Sequence, residues 1–412
     1  MSFDPYKIRK DFPMYDKHDG KFNGLPLVYL DNSATTFKPY CVIDAVNHYY
    51  MDITANTRRG DYSLAHEADV AFDESRKTIA RFINAKSSDE VIFTSGDTEG
   101  LNEIAYGLIP LLKKDDEIIL TQSEHASNVL PWFSVAKITG CKIRYIQLDE
   151  KGMVTPEGLS KVISEKTKIV SVASVSNVMG YKVNVKELVR ITHQYNAIYI
   201  DDAAQSVAHM KTDVQDSDVD FMVFSGHKML GPTGIGVLYG KMSMLEKLTP
   251  LMYGGEMNAR FHSDMYLSLD DIPYRFEAGT QNVAGVLGLA RACQYLSEIG
   301  FDAIEEHEAR LRKLAIEGLK KNGNVTIYNE DADTGIISFN IEKVFPQDVA
   351  TYLSHKGVFV RSGTHCAKIL PEFLHVDGTV RASLYLYNTD EDIQAFVKAC
   401  STAEDFLDAF FD

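Results

Sequence analysis

The chain has 412 residues, of which 45% are hydrophobic and 24% charged, and a formal net charge of −16. That is the composition of a soluble globular protein of roughly two domains, and its acidity argues against a nucleic-acid partner, whose phosphates it would repel. The five cysteines (Cys41, Cys141, Cys293, Cys366, Cys400) are odd in number and form no CxxC pair, which argues against a disulfide framework and for a reduced, cytoplasmic setting.

The N-terminal residues are charged and lack the apolar core of a signal peptide, and no apolar run is long enough to span a membrane. Residues 90–96 (EVIFTSG), 116–122 (DEIILTQ), 142–149 (KIRYIQLD), 168–176 (KIVSVASVS), 197–203 (AIYIDDA), 221–226 (FMVFSG) and 234–240 (GIGVLYG) read as strands. Several are almost continuously apolar, as in a parallel sheet covered on both faces. Amphipathic segments such as 155–167 (TPEGLSKVISEKT) and 184–196 (NVKELVRITHQYN) lie between them. This βαβα rhythm predicts an α/β fold with an open, mostly parallel seven-stranded sheet, whose ligands sit at the carboxyl ends of the strands. From residue 285 the pattern changes to a long helical region (286–323), short strands in TGIISFNI (334–341) and GVFVRSG (357–363), and terminal helices. The expected division is a large α/β domain over 22–284 and a smaller α+β domain over 285–412, with residues 1–21 packing on the latter.

Three of the strand ends carry chemistry. Ser225, His227 and Lys228 follow the strand ending at Phe224, where a lysine placed in the binding crevice can lose enough proton affinity for Schiff-base chemistry. Asp202 ends another strand, where a carboxylate can hold a pyridinium nitrogen protonated. The turn before Thr98 opens a helix whose free N–H groups and dipole suit a phosphate. Taken singly, each has a bland explanation: a solvated turn lysine, a helix N-cap, a common Gly turn. Together, at separate strand ends of one sheet, they form the set that pyridoxal 5'-phosphate requires.

Longer motifs accompany them: YLDNSATT (29–36), NTRRG (56–60), SEHASN (123–128), SNVMG (176–180), DDAAQS (201–206), SGHKMLGPTG (225–234), FEAGTQN (276–282), RSGTHCA (361–367) and RASLYLYNT (381–389). Over almost the whole chain these resemble the class V aminotransferase family of fold-type I pyridoxal-phosphate enzymes, in its cysteine desulfurase/selenocysteine lyase branch. The resemblance implies Lys228 as the Schiff-base lysine and later acid/base, with Asp202 at the pyridine nitrogen, Gln205 at the phenolic oxygen and His125 stacked on the ring. It implies Thr98, Ser225 and His227 at the phosphate, with Thr280 reaching in from the second subunit of a homodimer. Asn177 is then near substrate and ring, Arg381 clamps the substrate carboxylate, and Arg361 lies beside it. The implied reaction converts L-cysteine to L-alanine and loads sulfur onto Cys366 for an acceptor protein of iron–sulfur assembly. L-Selenocysteine or cysteine sulfinate are alternative substrates for the same site, and a non-catalytic sulfur-carrier scaffold is an alternative of another class. Three positions depart from the pattern: Asp97, expected to offer only its backbone N–H beside the phosphate, Arg58 where histidine is common, and Thr364 two residues before Cys366.

Cys366 itself follows a strand in a polar, glycine-containing loop, which favours exposure, and Arg361 and His365 are near enough in sequence to lower a thiol pKa. A lone cysteine is more often a small buried hydrophobe. His365, its neighbour in extended chain, points to the opposite side and is not assigned as a base. A metal role is not expected, because His365–Cys366 has no companion pair of ligands.

Overall fold

The computed structural model describes residues 3–404 and 406. Seven strands form the main sheet: β1 Val91–Thr94, β2 Glu117–Thr121, β3 Lys142–Ile146, β4 Thr167–Ala173, β5 Ile198–Asp202, β6 Phe221–Ser225 and β7 Gly236–Gly240. Their order is β1-β7-β6-β5-β4-β2-β3. All pairings are parallel except those of β7, which runs antiparallel to both β1 and β6. Six strands therefore point the same way, and their carboxyl ends share one edge.

The continuous apolar runs are explained by helices on both faces. On one face Val91, Phe93, Tyr199, Met222 and Phe224 join Phe72, Ile79, Leu188 and Leu289 from helices Ser63–Phe82, Val185–Gln194 and Val283–Ile299. On the other, Ile92, Ile118, Leu120, Phe221 and Val223 join Leu101, Ile104, Trp132 and Val135. Alternate residues of one strand thus fill two separate cores. Each fully buried aliphatic or aromatic side chain contributes on the order of 1.5–3 kcal/mol, so the sheet is a rigid platform.

A second, four-stranded antiparallel sheet contains Ile336–Ile341, Thr379–Ser383 and Arg361–Gly363, covered by Leu311, Val349, Leu353 and Phe396. Two details differ from the sequence pattern. The helical region 286–323 is two helices, Val283–Ile299 and Phe301–Asn322, separated by Gly300 at φ 90°. The run 357–363 is split as well: Val358–Phe359 pairs in parallel with Val28–Tyr29, while Arg361–Gly363 joins the four-stranded sheet. Near the N-terminus, Arg9 binds Asp392 and the Tyr387 carbonyl, and the Tyr295 hydroxyl donates to Asp11 at 2.7 Å. The expected domain boundaries run to residues 1 and 412, which lie outside the described residues. No helix among the described residues is long and apolar enough to cross a membrane.

Candidate active site

The carboxyl edge of the sheet gathers residues from five strands. Segments following β1 (Asp97, Thr98), β2 (His125, Ser127), β4 (Asn177), β5 (Gln205) and β6 (Ser225, His227, Lys228) line one cavity of about 180 Å³. Ser33, Ala34, Arg361, His365, Cys366 and Arg381 complete its lining. Glycine makes the convergence sterically feasible. A Cβ on Gly236 would stand 2.5 Å from Gly96 Cα and 2.7 Å from the Phe224 carbonyl, so only a hydrogen there lets the ends of β1 and β6 come together.

Lys228 sits in a short 3₁₀ turn, Gly226–Lys228. The His227 carbonyl beside it accepts from the Thr36 N–H (3.0 Å), the Thr35 and Thr36 hydroxyls and the Lys38 ammonium (2.8 Å), so the 31–38 loop fixes the turn. Lys228 keeps some surface within the cavity, yet the protein packed around its amine holds the amine below the usual lysine range. Burial is the main cause. The charges of Asp97 and then Asp202 oppose it, and Arg381 and Arg361 add to it. An amine of reduced proton affinity is what nucleophilic attack on a carbonyl needs.

The phosphate candidates form a cluster at the start of helix α1, Asp97–Gly107. Thr98 Oγ1 and Ser127 Oγ are 2.7 Å apart, and the Asp97 N–H donates to Ser225 Oγ at 2.8 Å. His227 is pushed down to about 4 by burial and by the cations Lys228 and Lys38, so it is neutral near pH 7. The Ser127 N–H donates to His125 Nδ1 at 3.2 Å, which leaves the proton of the neutral ring on Nε2. Burial, with Lys228 next, keeps His125 below its usual range. Gln205 donates to the Ser33 carbonyl at 2.9 Å. Asp202 is 3% exposed and lies behind the lining, its Oδ1 accepting from the Ala204 N–H at 3.1 Å.

The four-stranded sheet supplies the other wall. Arg361 and Arg381 are paired opposite one another across two strands. Arg381 is 2% exposed; it donates to the Asn177 carbonyl at 2.9 Å and to Asp31 Oδ1 at 3.1 Å, and its Nε has no partner among the described residues. Asn177 also donates to the His365 carbonyl at 2.8 Å, tying the arginine to the cysteine loop. That loop turns through two consecutive left-handed residues, His365 (φ 50°) and Cys366 (φ 59°), a conformation that bulky side chains adopt rarely. It is held by the Ala126 N–H donating to the Cys366 carbonyl at 2.8 Å. Cys366 is exposed and borders the cavity, whereas Cys141, Cys293 and Cys400 are buried.

Several expectations need adjustment. His365 Nε2 is engaged by the Thr379 carbonyl and hydroxyl, at 3.1 and 3.0 Å, and burial with Arg381 pushes the ring down to about 3. It is a neutral brace, with Nδ1 free of partners among the described residues. Asp97 does not offer a free backbone N–H, since that group is bound to Ser225, although the residue does line the cavity. Thr280 is exposed and is not part of the lining in this single chain. Arg58 stands 3.4 Å over the Tyr274 ring and pairs with Asp270 at 3.1 Å, outside the cavity. Lys38, Asp31 and Ser127 carry contacts that the motif reading left without a role, although all three lie within or next to motifs it singled out.

The family model described as aminotransferase class-V matches residues 28–396. The chain belongs to the class V aminotransferases. Among curated members it is 45% identical over 408 residues to a probable cysteine desulfurase of Halalkalibacterium halodurans, covering 98% of this chain and 99% of that one. It is 41% identical over 409 residues to a probable cysteine desulfurase of Staphylococcus aureus, covering 98% of each. Among solved class V structures, the cysteine desulfurase CsdA of Escherichia coli superposes with a TM-score of 0.91 at 33% identity, covering 98% of this chain and 99% of that one. The apo cysteine desulfurase of Thermococcus onnurineus NA1 does so with a TM-score of 0.91 at 37% identity, covering 97% and 98%.

Proposed function

We propose that this class V aminotransferase is a pyridoxal 5'-phosphate-dependent cysteine desulfurase that converts L-cysteine to L-alanine and retains the sulfur as a persulfide on Cys366. The observation that carries the reading is the shared cavity. An exposed Cys366, a buried Arg381 and the partly desolvated Lys228 line one space.

The residues present fit the cofactor. Two lining residues, Asn177 and Arg381, each carry a buried atom (Oδ1 and Nε) with no partner among the described residues, and such groups are costly unless a ligand satisfies them. The hydroxyls of Thr98, Ser127 and Ser225 and the α1 N-terminus suit a phosphate, and Lys228 supplies the amine. When bound, pyridoxal phosphate joins covalently to amines and acts as an electron sink for charge left at a substrate α-carbon. Asp202, behind the lining, and Gln205 would hold the ring's polar atoms, His125 would lie against the ring, and Thr280 of a second copy would complete the phosphate site in a homodimer.

Arg381 holds the substrate carboxylate, for which a guanidinium fork is suited. Lys228 takes the proton from the α-carbon and later returns one to the carbon that loses sulfur. The Cys366 thiolate attacks the substrate sulfur: an S–S bond forms, the C–S bond breaks, and its electron pair stays with carbon. The products are alanine and a persulfide, so atoms and electrons balance without a further oxidant. Because Cys366 is exposed, the persulfide is open to a sulfur-acceptor protein of an iron–sulfur assembly system in the cytoplasm.

The test is mass spectrometry after incubation with L-cysteine. One added sulfur on Cys366 is expected, while Cys366→Ser retains the coloured cofactor but yields no alanine. A Cys366→Ser protein that desulfurates cysteine at the wild-type rate overturns the persulfide role.

A further inference from the structure

Glu124 is 2% exposed and lies outside the cavity lining, and the proposed reaction gives it no task. It falls between Thr121, the last residue of β2, and His125, which lines the cavity. The last registered pair of β2 and β4 is Ile119–Val170. Beyond it, the side chains of Glu124 and Asn128 make the contacts between the two segments. The Glu124 carboxyl accepts from the Ala173 N–H at 3.0 Å and from Asn128 Nδ2 at 2.7 Å, and meets the Thr121 hydroxyl at 2.6 Å. Asn128, fully buried, accepts at Oδ1 from the Ser171 hydroxyl (2.6 Å) and Trp132 Nε1 (3.2 Å).

These contacts grip both ends of a short 3₁₀ turn, Ala126–Asn128, which touches both sides of the cavity. On one side Ser127 Oγ lies 2.7 Å from Thr98 Oγ1, and the Ser127 N–H and hydroxyl both meet His125 Nδ1, at 3.2 and 3.0 Å. On the other, the Ala126 N–H donates to the Cys366 carbonyl at 2.8 Å. That loop runs through two successive left-handed residues, His365 and Cys366, a conformation that persists only where surrounding contacts impose it. Burial raises Glu124 to about 8 despite its hydrogen bonds, so the carboxyl is neutral at pH 7. The neutral form fits the same partners. It donates to Thr121 Oγ1, whose own proton can pass to Ser123 Oγ at 3.0 Å, and it still accepts from Asn128 and Ala173.

We propose that Glu124 and Asn128 are positioning residues: they anchor the 125–128 turn where β2 and β4 part, and through Ala126 they couple the phosphate side of the cavity to the Cys366 loop. The anchor stands on these contacts alone. The tasks of the two sides that it couples rest on the proposed function.

The test compares the full-length protein with Glu124→Gln and Glu124→Met. Glutamine can turn its oxygen to Asn128 and Ala173 and its amide to Thr121, whereas methionine fills the space without hydrogen bonds. In hydrogen exchange without cofactor, Glu124→Met should speed the peptides covering 124–129 and 361–367 by about tenfold, as the loss of several buried hydrogen bonds implies, while Glu124→Gln should match wild type. Peptides of β3 and of helix Phe301–Asn322 should not change. Unaltered exchange at 361–367 in the methionine variant overturns the coupling. A glutamine variant as fast as methionine, or a rise spread evenly over the control peptides, overturns the anchor. If the methionine variant does not fold, Ala126→Pro takes its place. Proline is tolerated at the first position of a helical turn after an extended residue, here His125 at ψ 149°, and it deletes the N–H bound to Cys366. Unchanged exchange at 361–367 in that variant also overturns the coupling. With pyridoxal 5'-phosphate, the Kd should weaken about tenfold in Glu124→Met and hold in Glu124→Gln; equal values in all three proteins overturn the link to the phosphate side. If wild type does not bind pyridoxal phosphate, the functional reading fails and the exchange data decide the anchor.

Discussion

The Asp31–Arg381 contact gives a prediction in which stability and substrate affinity move in opposite directions. Asp31→Asn removes the counter-charge of a guanidinium that is 2% exposed, while keeping an oxygen near the 3.1 Å contact. Breaking a fully buried ion pair costs about 3–5 kcal/mol. Here the Asp31 side chain is 23% exposed, and burial outweighs the arginine's attraction enough to raise its carboxyl above the usual range. The pair is therefore close to break-even, and the loss should be about 1 kcal/mol, a shift of a few degrees at most in thermal denaturation. Under the proposed role of Arg381, Asp31 and the substrate carboxylate compete for one guanidinium. Two carboxylates about 5 Å apart repel by roughly 3 kcal/mol at an effective dielectric of 20, and solvent reaching Asp31 reduces this to about 1–2 kcal/mol. Relief of that repulsion should lower KM for L-cysteine by about 5- to 30-fold. Steady-state alanine production and thermal melts of the same preparation measure both effects. A raised KM with unchanged stability would refute the reasoning, since Asp31 would then be aligning Arg381 rather than competing for it.

Other outcomes follow from the same contacts. Lys38, pushed down to about 7 by burial, lacks in the folded state a proton that the unfolded chain still binds up to the ordinary lysine range. Wild-type stability relative to Lys38→Met should therefore rise with pH above 7, by at most about 1.4 kcal/mol per unit, in urea titrations at pH 7 and 9; a constant difference contradicts the assignment. Thr98→Ala removes a hydroxyl from the phosphate cluster but not the start of α1, so the melting temperature should hold. Its Kd for pyridoxal phosphate should weaken at least tenfold, as expected for a charge-assisted hydrogen bond worth about 1.5–3 kcal/mol.

All seven strands of the main sheet were legible in the sequence: a strand buried on both faces must be apolar at nearly every position whatever its partners are, and the edge strand β3 (KIRYI) instead alternates exposed and covered residues. The candidate site was legible as motifs at strand ends, since Lys228, Asp202 and Thr98 each follow a short apolar run. The sequence also carried the exposure of Cys366 through its polar, glycine-containing loop. Contacts between distant segments were not legible. Asp31 and Arg381 are 350 positions apart, Asn177 and His365 are 188 apart, and Lys38 and the His227 carbonyl are 189 apart. No local periodicity encodes such pairs; they arise because the four-stranded sheet and the 31–38 loop both pack over the carboxyl edge of the larger one. The direction of a side chain at a turn is likewise a tertiary outcome. The sequence could place Asp97 beside a phosphate seat, but only the packing of α1 against β6 and β7 tied its N–H to Ser225 and buried its carboxyl oxygen Oδ1.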